Sequence, residues 1–237
     1  MSKLEGKKVI VTGSSRGIGL AVAKRFARDG ASIAIIGKTT SEHPKLPGTI
    51  HSAAREVTEL GGRGLAIECD IRFEEQGEAM FEKVAESFGG LDILVNNASA
   101  ISLTPTEKTE MKRFDLMNQV NGRGTFLCSK LAISYLRASK NAHILNMSPP
   151  LNMNPRWFAP HVAYTMSKYA MSMCTLGMAA ELKKDGIAVN SLWPETGIAT
   201  AAVQNLLGGE EAIKKCRSPE IVADAAYLIV TREAKDF

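Results

Sequence analysis

The sequence predicts an α/β fold in which one parallel sheet carries helices on both faces, a doubly wound arrangement. Three observations predict it. Six short apolar runs are spread along the chain, longer amphipathic stretches separate them, and the first run ends in a glycine-rich turn that opens the first such stretch. Regular alternation of this kind favours parallel strands joined by helical crossovers.

The runs are KKVIVT (7–12), SIAII (32–36), GLAIECD (64–70), LDILV (91–95), AHILNM (142–147) and IAVNSLW (187–193). They are rich in Val, Ile and Leu and apolar almost throughout, as strands covered on both faces must be. Between them lie helical patterns such as GIGLAVAKRFARDG, which stops at Gly30, and EAMFEKVAESFGG. Glycine is a natural helix terminator. With 237 residues, 45% of them hydrophobic, the chain has ample core. No repeat or low-complexity linker divides it, so residues 1–237 are expected to form a single domain. Two connections are long: KTTSEHPKLPGT (38–49), and SPPLNMNPRWFAP (148–160) with its four prolines. Long loops in compact folds tend to be functional.

Composition narrows the function. The net charge of +4 comes from scattered basic residues, which fits a solvated surface with a mild bias toward anionic small ligands and gives no nucleic-acid partner. Cys69, Cys128, Cys174 and Cys216 form no CxxC pair, and His43, His51, His143 and His161 form no HExxH pattern, so no metal and no disulfide frame is expected. No run reaches the roughly 18 apolar residues of a membrane span. A reducing compartment fits. The cytoplasm is the expected location, or a peroxisome or mitochondrion if a targeting signal lies beyond the visible ends.

VTGSSRGIG (11–19) joins the first strand to the first helix. Gly13, Gly17 and Gly19 let the backbone turn sharply and approach a pyrophosphate, and the helix N-terminus behind them favours negative charge. Ser15, Arg16 and Ile18 lie in the same loop. In this context the loop marks a dinucleotide-binding Rossmann fold. NAD-preferring folds usually place an acidic residue at the end of the second strand for the ribose 2′-hydroxyl. Here the sequence is IIGKTT, with Lys38 and no acid. Lys38 and Arg16 are placed to flank a 2′-phosphate, each charged hydrogen bond contributing roughly 1.5–3 kcal/mol, so NADP is the predicted cofactor.

Tyr164 and Lys168 stand at i and i+4, on one face of a helix. A free tyrosine titrates near pH 10 and is a poor acid–base at neutrality. An adjacent ammonium lowers that value, and a fall of three units takes about 4 kcal/mol. Lys168 and an oxidised nicotinamide are expected to share this. Tyr164 then gives a proton to a carbonyl oxygen, or takes one from an alcohol, as hydride moves at carbon.

Taken together, TGSSRGIG (12–19), CD ending at Asp70, NNAS (96–99), VNGRGT with Asn121, YTMSK (164–168) and PETGIAT (194–200) resemble the short-chain dehydrogenase/reductase family over essentially the whole chain. The segments 38–50 and 145–158 look like a narrower group within it. The resemblance implies that Gly13 to Gly19 and Lys38 hold the phosphates, that Asp70 meets the adenine, that Ile71 belongs to the cofactor site, and that Asn97 and Ala98 line the groove. It implies that Asn121 anchors a water in a proton relay with Lys168, and that Lys168 also binds the nicotinamide ribose. Tyr164 is the implied acid–base, with Pro194, Thr196, Ile198 and Thr200 along the nicotinamide and its phosphates. A homodimer or homotetramer is the implied assembly.

The chain departs from the family pattern in three places. A Ser-Ser pair usually ends the fifth strand, the second serine hydrogen-bonding the substrate oxygen. Here Ser148 matches the first and Pro149 replaces the second, which cannot donate. Either Ser148 takes over that role, helped by a local twist at the prolines, or it only closes the strand end; Asn152 or Asn154 are the other candidates. Ser99 stands where glycine is usual and narrows the groove. Finally, the sequence stops at TREAKDF, where relatives continue into a final strand, so that strand is expected to be missing.

Leu151, Met153, Trp157, Phe158, Trp193 and Ile198 fall in or beside the loops that should wall the site. An apolar wall suits a lipid-like ketone, aldehyde or secondary alcohol, with ordinary core packing the alternative for about half of these residues. Three functional classes result: an NADP-dependent oxidoreductase; a cofactor-binding interaction module without turnover, motivated by Pro149; and a lipid carrier without redox chemistry.

Overall fold

The computed structural model describes residues 3–44, 46–206 and 208–237. Six parallel strands form its sheet: β1 (Lys8–Thr12), β2 (Ser32–Gly37), β3 (Arg63–Glu68), β4 (Ile93–Asn96), β5 (Ala142–Asn146) and β6 (Ile187–Ser191), in the order β3-β2-β1-β4-β5-β6. These are the six runs the sequence predicts, each within a few residues. The strand order reverses between β1 and β4. At such a switch point the connections leave in opposite directions and open a crevice at the carboxyl ends of the strands.

Helices α1 (Gly17–Ala27) and α2 (Ile50–Glu59) cover one face of the sheet and α3 (Glu74–Phe88) the other. Next, α4 (Met111–Met117) passes through a π-helical turn, Asn118–Arg123, into α5 (Gly124–Leu136). The longest helix is α6 (Val162–Leu182), followed by the short α7 (Ala201–Leu206) and α8 (Gly209–Ile213), then α9 (Glu220–Val230). Val9, Val11, Ile33 and Ile35 point to the core under α1, α2 and α9, whereas Ile10, Ala34 and Ile36 point to the core under α3, α5 and α6. Successive strand residues face opposite ways, so both faces need apolar residues and the strand runs are unbroken.

Among the described residues β6 forms one edge of the sheet. The turn Ala234–Asp236 lies beside it, tied down where Asn141 Oδ1 accepts from the Ala234 N–H (2.7 Å) and the buried His143 ring meets the Arg232 carbonyl (3.0 Å). At the opposite end α2 lies on β3, where Gly64 permits the approach. A Cβ on Gly64 would stand 2.0 Å from the Ala54 carbonyl oxygen. Backbone on both sides cannot yield cheaply, so Gly64→Ala should cost about 1–3 kcal/mol of stability. Urea unfolding measures this, and an unchanged midpoint would contradict the α2–β3 packing.

Candidate active site

The crevice is built from the ends of β1 and β4. Gly13 has φ near +65°, and a Cβ there would lie 2.8 Å from the Ala98 Cα. At Gly19 a Cβ would lie 2.5 Å from Asn97 Nδ2 and 2.6 Å from the Gly13 carbonyl oxygen. The loop is thus compressed against the segment after β4. Thr12 ties the two: its hydroxyl accepts from the Asn97 and Ala98 N–H groups, both at 3.0 Å. Asn97 Nδ2 donates back to the Thr12 and Gly13 carbonyls at 2.9 and 3.0 Å. Ser14 fastens the loop to β2, donating to the Val11 carbonyl and accepting from the Ile36 N–H. Sequence reasoning missed Thr12 and Ser14, because a hydroxyl beside a glycine carries no signal of its long-range partner.

A nicotinamide dinucleotide fits this loop. Arg16, at the N-cap of α1, makes no side-chain cap, and the first turn holds no acid. The helix therefore turns uncapped N–H groups and an unopposed positive dipole end toward the crevice. Gly17 faces the 194–200 segment, with Thr200 Cγ2 3.5 Å from where a Cβ would be. Ser15 is buried beneath the 38–49 connection, where a Gly48 Cβ would meet the Ser15 carbonyl oxygen at 2.8 Å. Ile71 is buried against Gly124, at the start of α5. Pro194 and Thr196 lie at the surface of the loop after β6, while the Ile198 side chain is buried in the core beside α1 and α9.

The two cations assigned to a 2′-phosphate are already engaged. The Arg16 guanidinium donates to the Pro47 and Gly48 carbonyls at 3.0 and 2.9 Å, pinning the long connection onto the glycine loop. Lys38 pairs with Asp70 at 3.3 Å, and Arg72 pairs with the same carboxylate at 2.6 Å. Partial burial works against the charged Asp70, yet the Arg72 hydrogen bonds and the Lys38 charge hold its carboxyl at about 2. Of the two, Lys38 is the more exposed and the less tightly held.

Across the crevice α6 presents Tyr164 and Lys168. The Lys168 Nζ is buried, donates to the Met147 carbonyl at 2.6 Å, and lies 5.2 Å from the centre of the Trp193 ring. Burial brings its pKa down to about 7. Tyr164 differs from the sequence expectation. Burial pushes its phenol up to about 12, offset in part by a hydrogen bond from the Ser99 hydroxyl. The expected lowering by Lys168 is absent because the amine turns to Met147 and is itself desolvated.

Asn121 joins the two walls. It is buried in the π-helical turn; its Oδ1 accepts from the Ala100 N–H (2.8 Å) and its Nδ2 donates to the Ala100 carbonyl and to Ser167 Oγ, both at 2.9 Å. Ser167 in turn donates to the Tyr164 carbonyl at 2.8 Å. Each amide atom is committed, so the side chain is a clamp between the 97–100 segment and the first turn of α6.

Ser148 is not brought to Tyr164. It keeps the strand alternation, facing the same way as Asn146, and its hydroxyl pairs with Ser191 Oγ at 2.7 Å. Ser191 and Asn146 both donate to Thr175 Oγ1 at 2.8 Å, so Ser148 ends a polar chain linking β5, β6 and α6. The strand-end alternative is the arrangement found. Asn152 and Asn154 turn their oxygens onto the N–H groups of Asn154 and Arg156 in their own loop. Leu151, Met153, Trp157 and Trp193 are exposed, and Trp193 lies beside Lys168. Phe158 packs edge-on to Tyr169, with ring centres 5.1 Å apart.

The strand order and the glycine loop at its switch point are those of a dinucleotide-binding fold, and comparison with known proteins gives the family. Residues 7–210 match the family model described as short chain dehydrogenase, and the chain belongs to that family. The narrower group that its two long segments resemble is the hydroxysteroid dehydrogenase-like protein 2 type. The Xenopus laevis protein of that name is 57% identical over 235 residues, 99% of this chain. The chain spans 56% of that relative's length. Among solved structures, a putative dehydrogenase from Xanthomonas campestris is 53% identical with a TM-score of 0.95, covering 99% of this chain and 85% of that one. A short chain dehydrogenase from Burkholderia cenocepacia in complex with NADP is 30% identical with a TM-score of 0.84, covering 99% and 94%. Among the described residues, no helix is long and apolar enough to cross a membrane.

The burial of Lys168 has a measurable consequence. Its folded pKa of about 7 lies below the ordinary lysine value of 10.5. Between those two values the unfolded chain holds a proton that the folded chain lacks, so this group's contribution to stability rises with pH there and is flat below. Wild type should gain stability relative to Lys168→Met between pH 7 and pH 10 in chemical unfolding; a difference that does not change with pH would contradict the burial.

Proposed function

We propose that the protein is an NADP-dependent oxidoreductase that interconverts a hydrophobic carbonyl and its secondary alcohol. The observation that carries the proposal is the clamp: Asn121 fixes the turn bearing Tyr164 against the segment that flanks the glycine loop. A bound nicotinamide dinucleotide supplies hydride to the substrate carbon, or removes it. Tyr164 does the complementary work. When the carbon–oxygen π bond opens, its electrons move to oxygen, the phenol O–H bond breaks and the proton passes to that oxygen. Lys168, with a pKa of about 7, exchanges a proton near neutrality and restores the phenol.

Lys38 supports NADP: its partner Asp70 is shared with Arg72, so Lys38 can turn to a 2′-phosphate and leave Asp70 paired. The NADP complex of the Burkholderia cenocepacia relative supports the same choice. The exposed Leu151, Met153, Trp157 and Trp193 support an apolar, lipid-like substrate. Met166, Met173 and Leu176, exposed on one face of α6, support a homodimer or homotetramer. The free Cys69, Cys128, Cys174 and Cys216 favour a reducing compartment such as the cytoplasm.

A second reading, a cofactor-binding interaction module without turnover, is favoured by one observation: the hydroxyl of Ser148 is committed to Ser191 and Pro149 offers no donor. Tight NADPH binding without turnover of any carbonyl would support it.

Two variants test the proposal. Tyr164→Phe should lower carbonyl reduction by at least about a hundredfold while NADPH affinity, measured by fluorescence, stays unchanged; full activity in this variant would overturn the assigned acid–base. Lys38→Ala should cut the preference for NADPH over NADH by roughly tenfold, the effect of losing one charged hydrogen bond. Equal binding of the two cofactors by wild type would refute the phosphate assignment.

A further inference from the structure

The substrate oxygen needs a second hydrogen bond beside Tyr164, and the position that usually supplies it is a proline. The nearby hydroxyls on α6 and β5 are spent. Ser148 pairs with Ser191, Thr165 donates to the Trp157 carbonyl at 2.8 Å, Ser167 donates to the Tyr164 carbonyl at 2.8 Å, and Ser172 donates to the Pro149 carbonyl at 2.6 Å. The Asn152 and Asn154 side chains cap their own loop.

Ser99 stands apart from these. It is exposed on the segment that Asn121 ties to the Tyr164 turn, and its hydroxyl acts on the Tyr164 phenol in the direction that favours the charged form. Its other contact, to the Ala100 carbonyl, is long at 3.4 Å and is easily given up. Its backbone is held on both sides, by Thr12 at Ala98 and by Asn121 at Ala100. Through Ser167, the same Asn121 fixes the Tyr164 turn. One buried amide thus ties the segment bearing Ser99 to the turn bearing Tyr164, and two hydroxyl donors converging on one oxygen are what an oxyanion-type site requires.

We infer that Ser99 supplies the substrate-oxygen hydrogen bond that Pro149 cannot, so that donor and acid–base reach the oxygen from opposite walls of the crevice. The inference rests on the reading of Tyr164 as the acid–base. Serine in place of glycine in the NNAS segment then compensates for proline in place of serine in the SPP segment. During reduction the serine proton stays on Ser99; only the phenol proton is transferred.

The test uses NADPH oxidation with 2-decanone and decanal on wild type, Ser99→Ala and Ser99→Thr, together with NADPH titrations. Each variant is also titrated by carbon NMR with ring-labelled tyrosine, the Tyr164 resonance being assigned with Tyr164→Phe. Loss of the donor in Ser99→Ala should lower kcat by roughly a hundredfold, leave NADPH affinity unchanged and raise the Tyr164 pKa. Ser99→Thr, which keeps the hydroxyl, should restore most of the rate and the tyrosine titration. A residue of merely structural role would move neither the tyrosine pKa nor respond to threonine. If wild type turns over either carbonyl and Ser99→Ala does so at the same rate, the inference is wrong while the assigned function stands. If wild type turns over neither, the proposed function fails and this inference with it.

Discussion

The site depends on the buried amide of Asn121. Its oxygen and nitrogen hold both backbone groups of Ala100, and its second N–H reaches Ser167, whose hydroxyl holds the Tyr164 carbonyl. Four polar groups are satisfied around one side chain, and two segments far apart in sequence take a fixed spacing. The surrounding backbone is π-helical, a widened turn that places the amide between the walls. A buried network of this kind specifies geometry only when every member is satisfied, and at Asn121 each amide atom has a partner.

Around this clamp, burial sets the chemistry. Tyr164 and Lys168 are both withdrawn from water, which raises the phenol and lowers the amine, because desolvation always penalises the charged form. In the protein alone the phenol is therefore neutral near neutrality, while the amine is divided between its charged and uncharged forms. A phenol kept protonated is suited to giving a proton to a carbonyl oxygen. An amine poised at about 7 is suited to replacing that proton. The Trp193 ring lies beside the charged form of Lys168, a favourable cation–π position.

The strands were legible because sheets buried on both faces leave continuous apolar runs, and the glycine loop because Gly13 and Gly19 sit where backbone or Asn97 blocks any side chain. Tyr164 and Lys168 were legible from helical spacing alone. What escaped detection is long-range and polar. Arg16 meets carbonyls 31 and 32 residues away, Lys38 meets Asp70, and Ser148 meets a serine on the neighbouring strand. A sequence lists these donors without their partners, and for hydroxyls and cations the partner decides the role. The direction of the Tyr164 shift was missed for the same reason: spacing places an ammonium nearby but says nothing of how deeply both groups are buried.

The central claim is that this crevice carries out hydride chemistry on a carbonyl despite the proline at the usual donor position. The most direct measurement follows the hydrogen itself. Wild-type protein is incubated with 2-decanone and NADPH deuterated at the nicotinamide C4, in separate samples for the two faces, and the alcohol is analysed by mass spectrometry. One deuterium at the carbinol carbon, from one face only, is the predicted result. NADPH that binds tightly yet delivers no deuterium from either face would contradict the account and leave a binding module in its place.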